Sequence, residues 1–364
     1  MHKTSAWPLA IIYAGLIVYA SLFPFADWRD QGILPWGYLW QPLPKYWTGA
    51  DVAINLAGYA PFGFLLALAA LRTGRGRHAV AMATLAAVAM TGLMETLQSY
   101  LPARVPSNVD FALNAAGAWG GAVSAKLLER MGAISRWGRL RDRWFVADAR
   151  AALVLLALWP VALLFPVAVP LGLGQVLERL EPALVELIHD TPFLDWMPVR
   201  DVELQPLVPL GEMICVMLGA LIPCLVGHCI IRSMPRRALF ALLVIGAGIA
   251  ATGLSWALSY GPGNAWGWFG LPAQVGLVAA LILACGMAFL PRRVNAAVVL
   301  LALGIYLSVL NQAPASPYFV QTLHSWEQGR FIRFNGLAQW LGWVWPYATL
   351  VYVLARMWRR EPEN

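Results

Sequence analysis

This sequence predicts an all-α, polytopic membrane protein, and three observations carry that prediction. Hydrophobic residues make up 60% of the chain and charged residues 12%, with a mean hydropathy of +0.62, a balance unlike that of a soluble domain. Apolar runs of about twenty residues, the length a helix needs to cross the hydrocarbon core, recur from end to end. Lys and Arg cluster in alternate connecting segments, the asymmetry that sets orientation in a bilayer.

About ten transmembrane helices follow, at 6–25, 51–71, 78–100, 110–131, 150–171, 208–231, 237–258, 271–290, 294–312 and 337–356. In the first, Val18-Tyr19-Ala20 loosely fits a signal-peptide cleavage site. Its apolar stretch is too long and runs into Phe23-Pro24-Phe25, so a retained helix is expected. The fifth carries Pro160, Pro166 and Pro170 and should be kinked, which a membrane helix tolerates.

With both termini cytoplasmic, the inner segments collect Lys3, Arg72, Arg75, Arg77, the run from Lys126 to Arg150, Arg232, Arg236, Arg237, Arg292, Arg293, Arg356, Arg359 and Arg360. The outer side keeps Arg29, Lys45, Arg104, Arg179, Arg200, Arg330 and Arg333, and its 172–207 loop is acidic. The net charge of +7 reflects this inner bias and does not indicate a nucleic-acid partner. Cys215, Cys224, Cys229 and Cys285 all fall within spans and read as small apolar fillers.

Three regions follow: a four-helix domain over 1–131, a basic cytoplasmic connector over 132–150, and a six-helix domain over 151–364. The connector bears Arg and Trp and suits a segment lying on anionic headgroups. In the outer segment 172–190, Leu173, Leu177, Leu180, Leu184, Leu187 and Ile188 recur at helical spacing. An acidic amphipathic helix packed across the bundle mouth is expected there. Trp28, Trp36, Tyr38, Trp40, Tyr46, Trp47, Trp266 and Trp268 in outer loops read as an interfacial aromatic belt.

The first domain carries a polar signature twice. Asp51-Val-Ala-Ile-Asn55-Leu-Ala-Gly58 recurs as Asp110-Phe-Ala-Leu-Asn114-Ala-Ala-Gly117, 59 residues on. Asp and Asn in or at the mouth of a membrane helix are costly, so their repetition calls for a reason. The offset spans a helical hairpin and makes the two halves parallel copies. Topology then brings Asp51, Asn55, Asp110 and Asn114 to the outer face, with Glu95 and Gln98 near the outer end of the third span. Arg104 lies in the tight loop beyond them, and Ser21 ends the first span at the same depth. Gly58, Gly63, Gly117, Gly120 and Gly121 lack bulk and would let the signature helices pack closely.

The same residues support two readings. As architecture, Asp caps a helix N-terminus and Asn bridges helices. As a site, Arg104, Gln98, Asn55, Asn114 and Ser21 bind a ligand, while Glu95, Asp110 and Asp51 are the candidates for catalysis. A desolvated Glu95 suits acid–base work. No nucleophile–base pair or metal motif stands out; the carboxylates could hold Mg2+ but do not require it. In the second domain, Glu212, His228, Gln274 and Asn295 are the polar residues a transport pathway would use.

Residues 1–130 resemble the VanZ-like family. The resemblance rests on Tyr19-Ala-Ser-Leu-Phe-Pro24, Asp51-x3-Asn55-x2-Gly58-x2-Pro61-Phe62-Gly63, Glu95-x2-Gln98, Arg104 and Asp110-x3-Asn114-x2-Gly117-x2-Gly120. It implies a bacterial inner-membrane domain of about four spans, associated with resistance to glycopeptide antibiotics, especially lipid-tailed ones. It implies no reaction. The expected function is handling or modification of a lipid-linked or amphiphilic envelope molecule at the outer mouth. Membrane lipids, a lipid-linked glycan or a lipoglycopeptide would be the ligand, and envelope-assembly proteins possible partners. The alternatives are a transporter or flippase, and a non-catalytic scaffold in an envelope-polymer assembly.

Overall fold

The structure, a computed structural model, describes residues 6–23, 25–43, 49–193, 204–314 and 331–358. Its regular elements are helical, and the described residues contain no strand beyond one isolated antiparallel bridge between Phe145 and Ile231. Five helical segments are long and apolar enough to cross a membrane: Asp51–Arg72, Gly76–Gln98, Pro209–Ile230, Met234–Tyr260 and Arg292–Leu310. Three shorter apolar helices accompany them. The chain divides into two compact units, Met1–Asp142 and Arg143–Asn364.

The first unit contains α1 (Ala6–Leu22), α2 (Gly49–Arg72), α3 (Ala79–Gln98), α4 (Asn108–Arg130) and most of α5 (Ala133–Trp144). Its centre is the α2–α4 pair. A Cβ added to Gly117 would overlap the Leu56 carbonyl, one on Gly121 the Ala60 carbonyl, and one on Gly63 the Ala118 carbonyl. Contacts that advance together, 56 with 117 and 60 with 121, mean that the two helices run parallel. The backbones touch because glycine removes the side-chain layer that separates ordinary helices.

Gly58 and Gly120 correct the expectation drawn from the motif, since open space surrounds the position of a Cβ at each. Gly58 contributes its carbonyl instead, accepting from Tyr13 Oη of α1 at 2.8 Å. α3 packs against both α2 and α4, and α1 against α2 and α3. At the far end, Arg72 Nη2 donates to Ile134 O at 2.7 Å and ties down α5. Arg136, Trp137, Arg139 and Leu140 of α5 remain exposed.

The second unit contains α6 (Arg150–Ala162), α7 (Leu177–Ile188), α8 (Pro209–Ile230), α9 (Met234–Tyr260), α10 (Leu271–Met287), α11 (Arg292–Leu310) and α12 (Phe331–Trp358). α8 is apolar on every side and almost wholly buried, with α6, α9, α10 and α11 around it. Cys215, Cys224 and Cys229 are buried along it, and Cys285 on α10 is half-buried; all four are free thiols.

The expected kinked fifth span is a broken one. α6 ends at Ala162, and residues 163–176 continue without helix although most of them are buried. Non-helical backbone at membrane depth requires protein partners, and these are supplied. Tyr306 Oη donates to Leu171 O at 2.7 Å and accepts from Leu173 N, while Asn311 Oδ1 accepts from Val176 N and Leu177 N, both at 3.1 Å. Asn311 Nδ2 and Tyr347 Oη both reach Gly174 O. Leu171 itself has a positive φ of 59°, strain that this buried scaffold holds in place.

The amphipathic helix expected over 172–190 is the shorter α7, and among the described residues part of its leucine face is exposed. Leu173 is buried ahead of the helix, but Leu180, Leu184 and Leu187 of α7 are exposed. Residues 194–203, with Asp195, Asp201 and Glu203, lie outside the described residues. The aromatic belt is also only partial. Trp28, Trp36, Trp40 and Trp266 are exposed, but Tyr38 and Trp268 are buried core residues; Tyr46 and Trp47 lie outside the described residues.

Gly121→Leu is expected to lower the thermal unfolding midpoint of the purified protein, the overpacking costing about 1–3 kcal/mol. Gly120→Ala, with room for its methyl, is expected to leave the midpoint unchanged or raise it.

Candidate functional site

α4 begins with a capping arrangement built from two helices. Ser107 is its N-cap, and Ser107 Oγ accepts from Asp110 N at 3.3 Å. In a local capping box the acid three residues into the helix reaches back to the cap N–H. Here Glu95 of α3 takes that role, its Oε2 accepting from Ser107 N at 2.8 Å. The carboxylate of Asp110 then serves another purpose: Oδ1 accepts from Asn55 Nδ2 of α2 at 2.7 Å. One signature Asn thus binds the signature Asp of the other copy. Asn114, one turn below Asp110, instead donates from Nδ2 to Thr91 Oγ1 of α3 at 3.0 Å.

A buried polar cluster results. Glu95, Thr91 and Asn114 are buried, and the half-exposed Asp51, Asn55 and Asp110 stand above them at the helix starts. Tyr59, one turn below Asn55 on the same face of α2, is buried as well. Its hydroxyl approaches Thr91, Ser21 and Glu95 yet makes no hydrogen bond of good geometry. Asn114 Oδ1 is also buried without a partner.

Arg104, Gln98 and Ser21 have a different place. Arg104 is 7% exposed, and its guanidinium faces the C-terminal end of α1. Nε donates to Phe23 O at 3.1 Å and Nη2 to Ala20 O at 3.0 Å. Gln98 Nε2 donates to Ser21 O at 2.9 Å, so Ser21 participates through its carbonyl. The last carbonyls of a helix have no partner inside it, and two side chains from the α3–α4 corner supply what α1 lacks.

The segment between α1 and α2 packs over this corner. Arg29 N donates to Tyr100 O at 3.0 Å, Gln31 Nε2 to Ser99 O at 2.8 Å, and Asn108 Nδ2 to Gln41 O at 2.6 Å. Tyr38 inserts against Phe111, and its hydroxyl donates to Gly92 O at 3.4 Å. Burial pushes the Tyr38 hydroxyl above its ordinary pKa, and the charge of nearby Glu95 adds to the shift.

The structure therefore joins Glu95, Asp110, Asn55 and Asn114 in one polar cluster and gives Arg104 and Gln98 to helix capping. Pro24 lies outside the described residues. Tyr59 and Thr91 were not singled out in the sequence, although helical spacing offered a signal: each stands four residues from a motif residue, Asn55 and Glu95 respectively, and so shares its face. In the second unit the expected polar residues are largely structural. His228 Nε2 lies 3.2 Å from Arg237 O, Asn295 Nδ2 donates to Met287 O, Leu290 O and Pro291 O, and Gln274 Nε2 donates to Phe269 O at 3.0 Å. Glu212 is half-buried in the first turn of α8.

With this geometry in place, residues 6–129 match the family model described as VanZ/LLP1. The N-terminal part of the chain is thus similar to that family, and the residues beyond it are assigned to no family. No curated protein and no solved structure was found to match the chain.

Removing the guanidinium of Arg104 strands buried carbonyls, at about 1–3 kcal/mol per unsatisfied group. Arg104→Ala is accordingly expected to lower the unfolding midpoint, and Arg104→Lys to recover only part of it, because one ammonium cannot reproduce the planar fork. An unchanged midpoint in Arg104→Ala would remove the capping role.

Proposed function

We propose that this protein is a multi-pass component of the bacterial inner membrane, with about ten spans and both termini cytoplasmic. Its VanZ-like domain takes up the polar end of an amphiphilic envelope molecule at an outer-leaflet mouth. One observation carries the reading: the polar groups of α2, α3 and α4 converge beneath a half-exposed acidic rim and leave Tyr59 Oη and Asn114 Oδ1 without partners. Architecture alone would satisfy those groups, since buried polar atoms without partners are rare. Glu95 and Asp110 are the groups positioned for proton transfer if the domain also modifies its ligand. Lipid-linked glycans and lipoglycopeptides belong to the ligand class, and a link to glycopeptide resistance would follow from handling them.

The orientation draws on the parallel α2–α4 pair. Both helices start at the acidic rim and end near basic residues, Arg72, Arg75 and Arg77 for α2, and Lys126 and Arg130 for α4. Exposed Arg136 and Arg139 flank exposed Trp137 and Leu140 on α5, a composition suited to the anionic inner surface. In intact cells, a membrane-impermeant maleimide should label Asp27→Cys and spare Arg139→Cys; the opposite pattern would invert the topology.

A second reading, transport, is favoured by the second unit alone. Its unwound, buried stretch over 163–176 is the kind of helix break from which transporters build sites. The backbone groups there are met by Tyr306, Asn311 and Tyr347, so headgroup handling at the first unit remains the leading reading.

Mass spectrometry of lipids co-purified with the full chain tests the proposal. Wild type is expected to carry a headgroup-specific lipid that Glu95→Gln, folded by its thermal midpoint, has lost by about tenfold. Identical lipid profiles in the two proteins would reduce the cluster to helix packing.

A further inference from the structure

The second unit gathers arginines at one end of its helices, around the C-terminal end of α8. There Val146 N donates to Ile230 O and Arg232 N to Trp144 O, each at 2.9 Å, so the chain before α6 lies against the chain after α8. Cys229 Sγ lies 3.7 Å from Arg292 O at the start of α11, and Arg356 Nη2 of α12 donates to Cys229 O at 3.1 Å. Arg236, in the first turn of α9, donates through Nη1 to Arg143 O and sits 5.6 Å over the Trp144 ring.

These arginines fall into two groups. Arg237 and Arg356 are committed to main-chain carbonyls, Arg237 to those of Ile231, Ala288 and Leu290 and Arg356 to that of Cys229. The others keep donors in hand. A guanidinium has five N–H donors. Arg232 uses Nε, on Phe145 O at 2.8 Å, and Arg236 uses Nη1, while the side chains of Arg292 and Arg293 make no hydrogen bond among the described residues. Asp148 pairs with Arg356 at 4.0 Å, but among the described residues no carboxylate pairs with Arg232, Arg236, Arg292 or Arg293.

Four like charges at one end of a helical unit repel one another, and the helices add to the excess. α9 and α11 both begin here, each with two arginines among its first four residues, no acid in the first turn and no side-chain cap. A helix N-terminus carries positive partial charge, so both arginine pairs have the wrong sign for their own helix until an anion joins them. Met234, Leu239, Phe289 and Val294 are exposed beside them. A free anion gains nothing from such residues, whereas acyl chains bury them.

We infer that this end of the second unit binds an anionic phospholipid, its phosphate held by the open donors of Arg232, Arg236, Arg292 and Arg293 and its chains by the apolar residues beside them. The inference concerns the second unit alone and goes beyond the headgroup reading of the first. Arginine suits the task because its planar fork offers paired hydrogen bonds to phosphate, and basic groups between membrane helices hold anionic headgroups.

Native mass spectrometry of the full chain in detergent tests it, with phosphatidylglycerol, phosphatidylethanolamine and phosphatidylcholine of matched acyl chains at equal concentration. Wild type is expected to retain phosphatidylglycerol about tenfold over either zwitterionic lipid. The double substitution Arg292→Gln with Arg293→Gln, which breaks no side-chain hydrogen bond among the described residues, is expected to lose that preference. Glu95→Gln, in the first unit, is expected to keep it. Full preference in the folded arginine variant would overturn the inference, and its loss in Glu95→Gln instead would assign the lipid to the first unit. Equal retention of the three lipids by wild type would overturn it without any variant having to fold. A preference that inorganic phosphate abolishes would overturn the lipid assignment and leave a site for a free anion.

Discussion

The last main-chain carbonyls of a helix find no donor within it, and when they are buried another part of the protein must supply one. The structure meets this demand largely with long basic and amide side chains. Arg104 and Gln98 serve the end of α1. In the second unit, Arg237 donates to Ile231, Ala288 and Leu290 carbonyls, Arg232 to Phe145 O, and Arg356 to Cys229 O. Asn295 repeats the device with one amide directed at three carbonyls. An unmet carbonyl in hydrocarbon costs several kcal/mol, so these contacts decide where the corners between helices can form.

That use of Arg104 shapes the cluster beside it. With its guanidinium turned toward α1, Glu95 is left to cap α4, and Asp110 to hold Asn55 across the glycine-lined α2–α4 interface. The close approach depends on Gly63, Gly117 and Gly121, because a methyl at any of them would strike a backbone carbonyl. Packing and polarity are therefore coupled: the small residues bring the Asn55–Asp110 pair together, and the capped corner above keeps Glu95 beneath the rim.

The motif residues were legible as a group because a polar side chain in a run of apolar ones stands out against the cost of burying it. Their division of labour was not. Glu95, Gln98 and Arg104 look alike as candidates along the chain, but one faces α4 and the other two face α1. A lone Tyr or Thr in a membrane helix, such as Tyr59 or Thr91, carries no signal along the chain until a partner appears across the interface. The repeated motif was also more symmetrical in sequence than in space: Gly117 packs against Leu56, but its counterpart Gly58 faces open space and lends its carbonyl to Tyr13.

Partition between water and lipid is a property of each segment taken singly, so helical class and the approximate positions of apolar segments could be determined from the sequence by itself. The parallel direction of α2 and α4 was legible for a related reason, since the motif repeats in the same chain direction in both helices. Hydrogen bonding is a property of pairs drawn from distant segments. Only the tertiary structure decided that the fifth apolar run breaks at Ala162, because the partners that make the break tolerable, Tyr306, Asn311 and Tyr347, come from α11, the turn after it and α12. It likewise decided that the arginine of the motif seals a helix end while Glu95, Asp110, Asn55 and Asn114 join in a polar cluster, because that depends on which group each side chain meets.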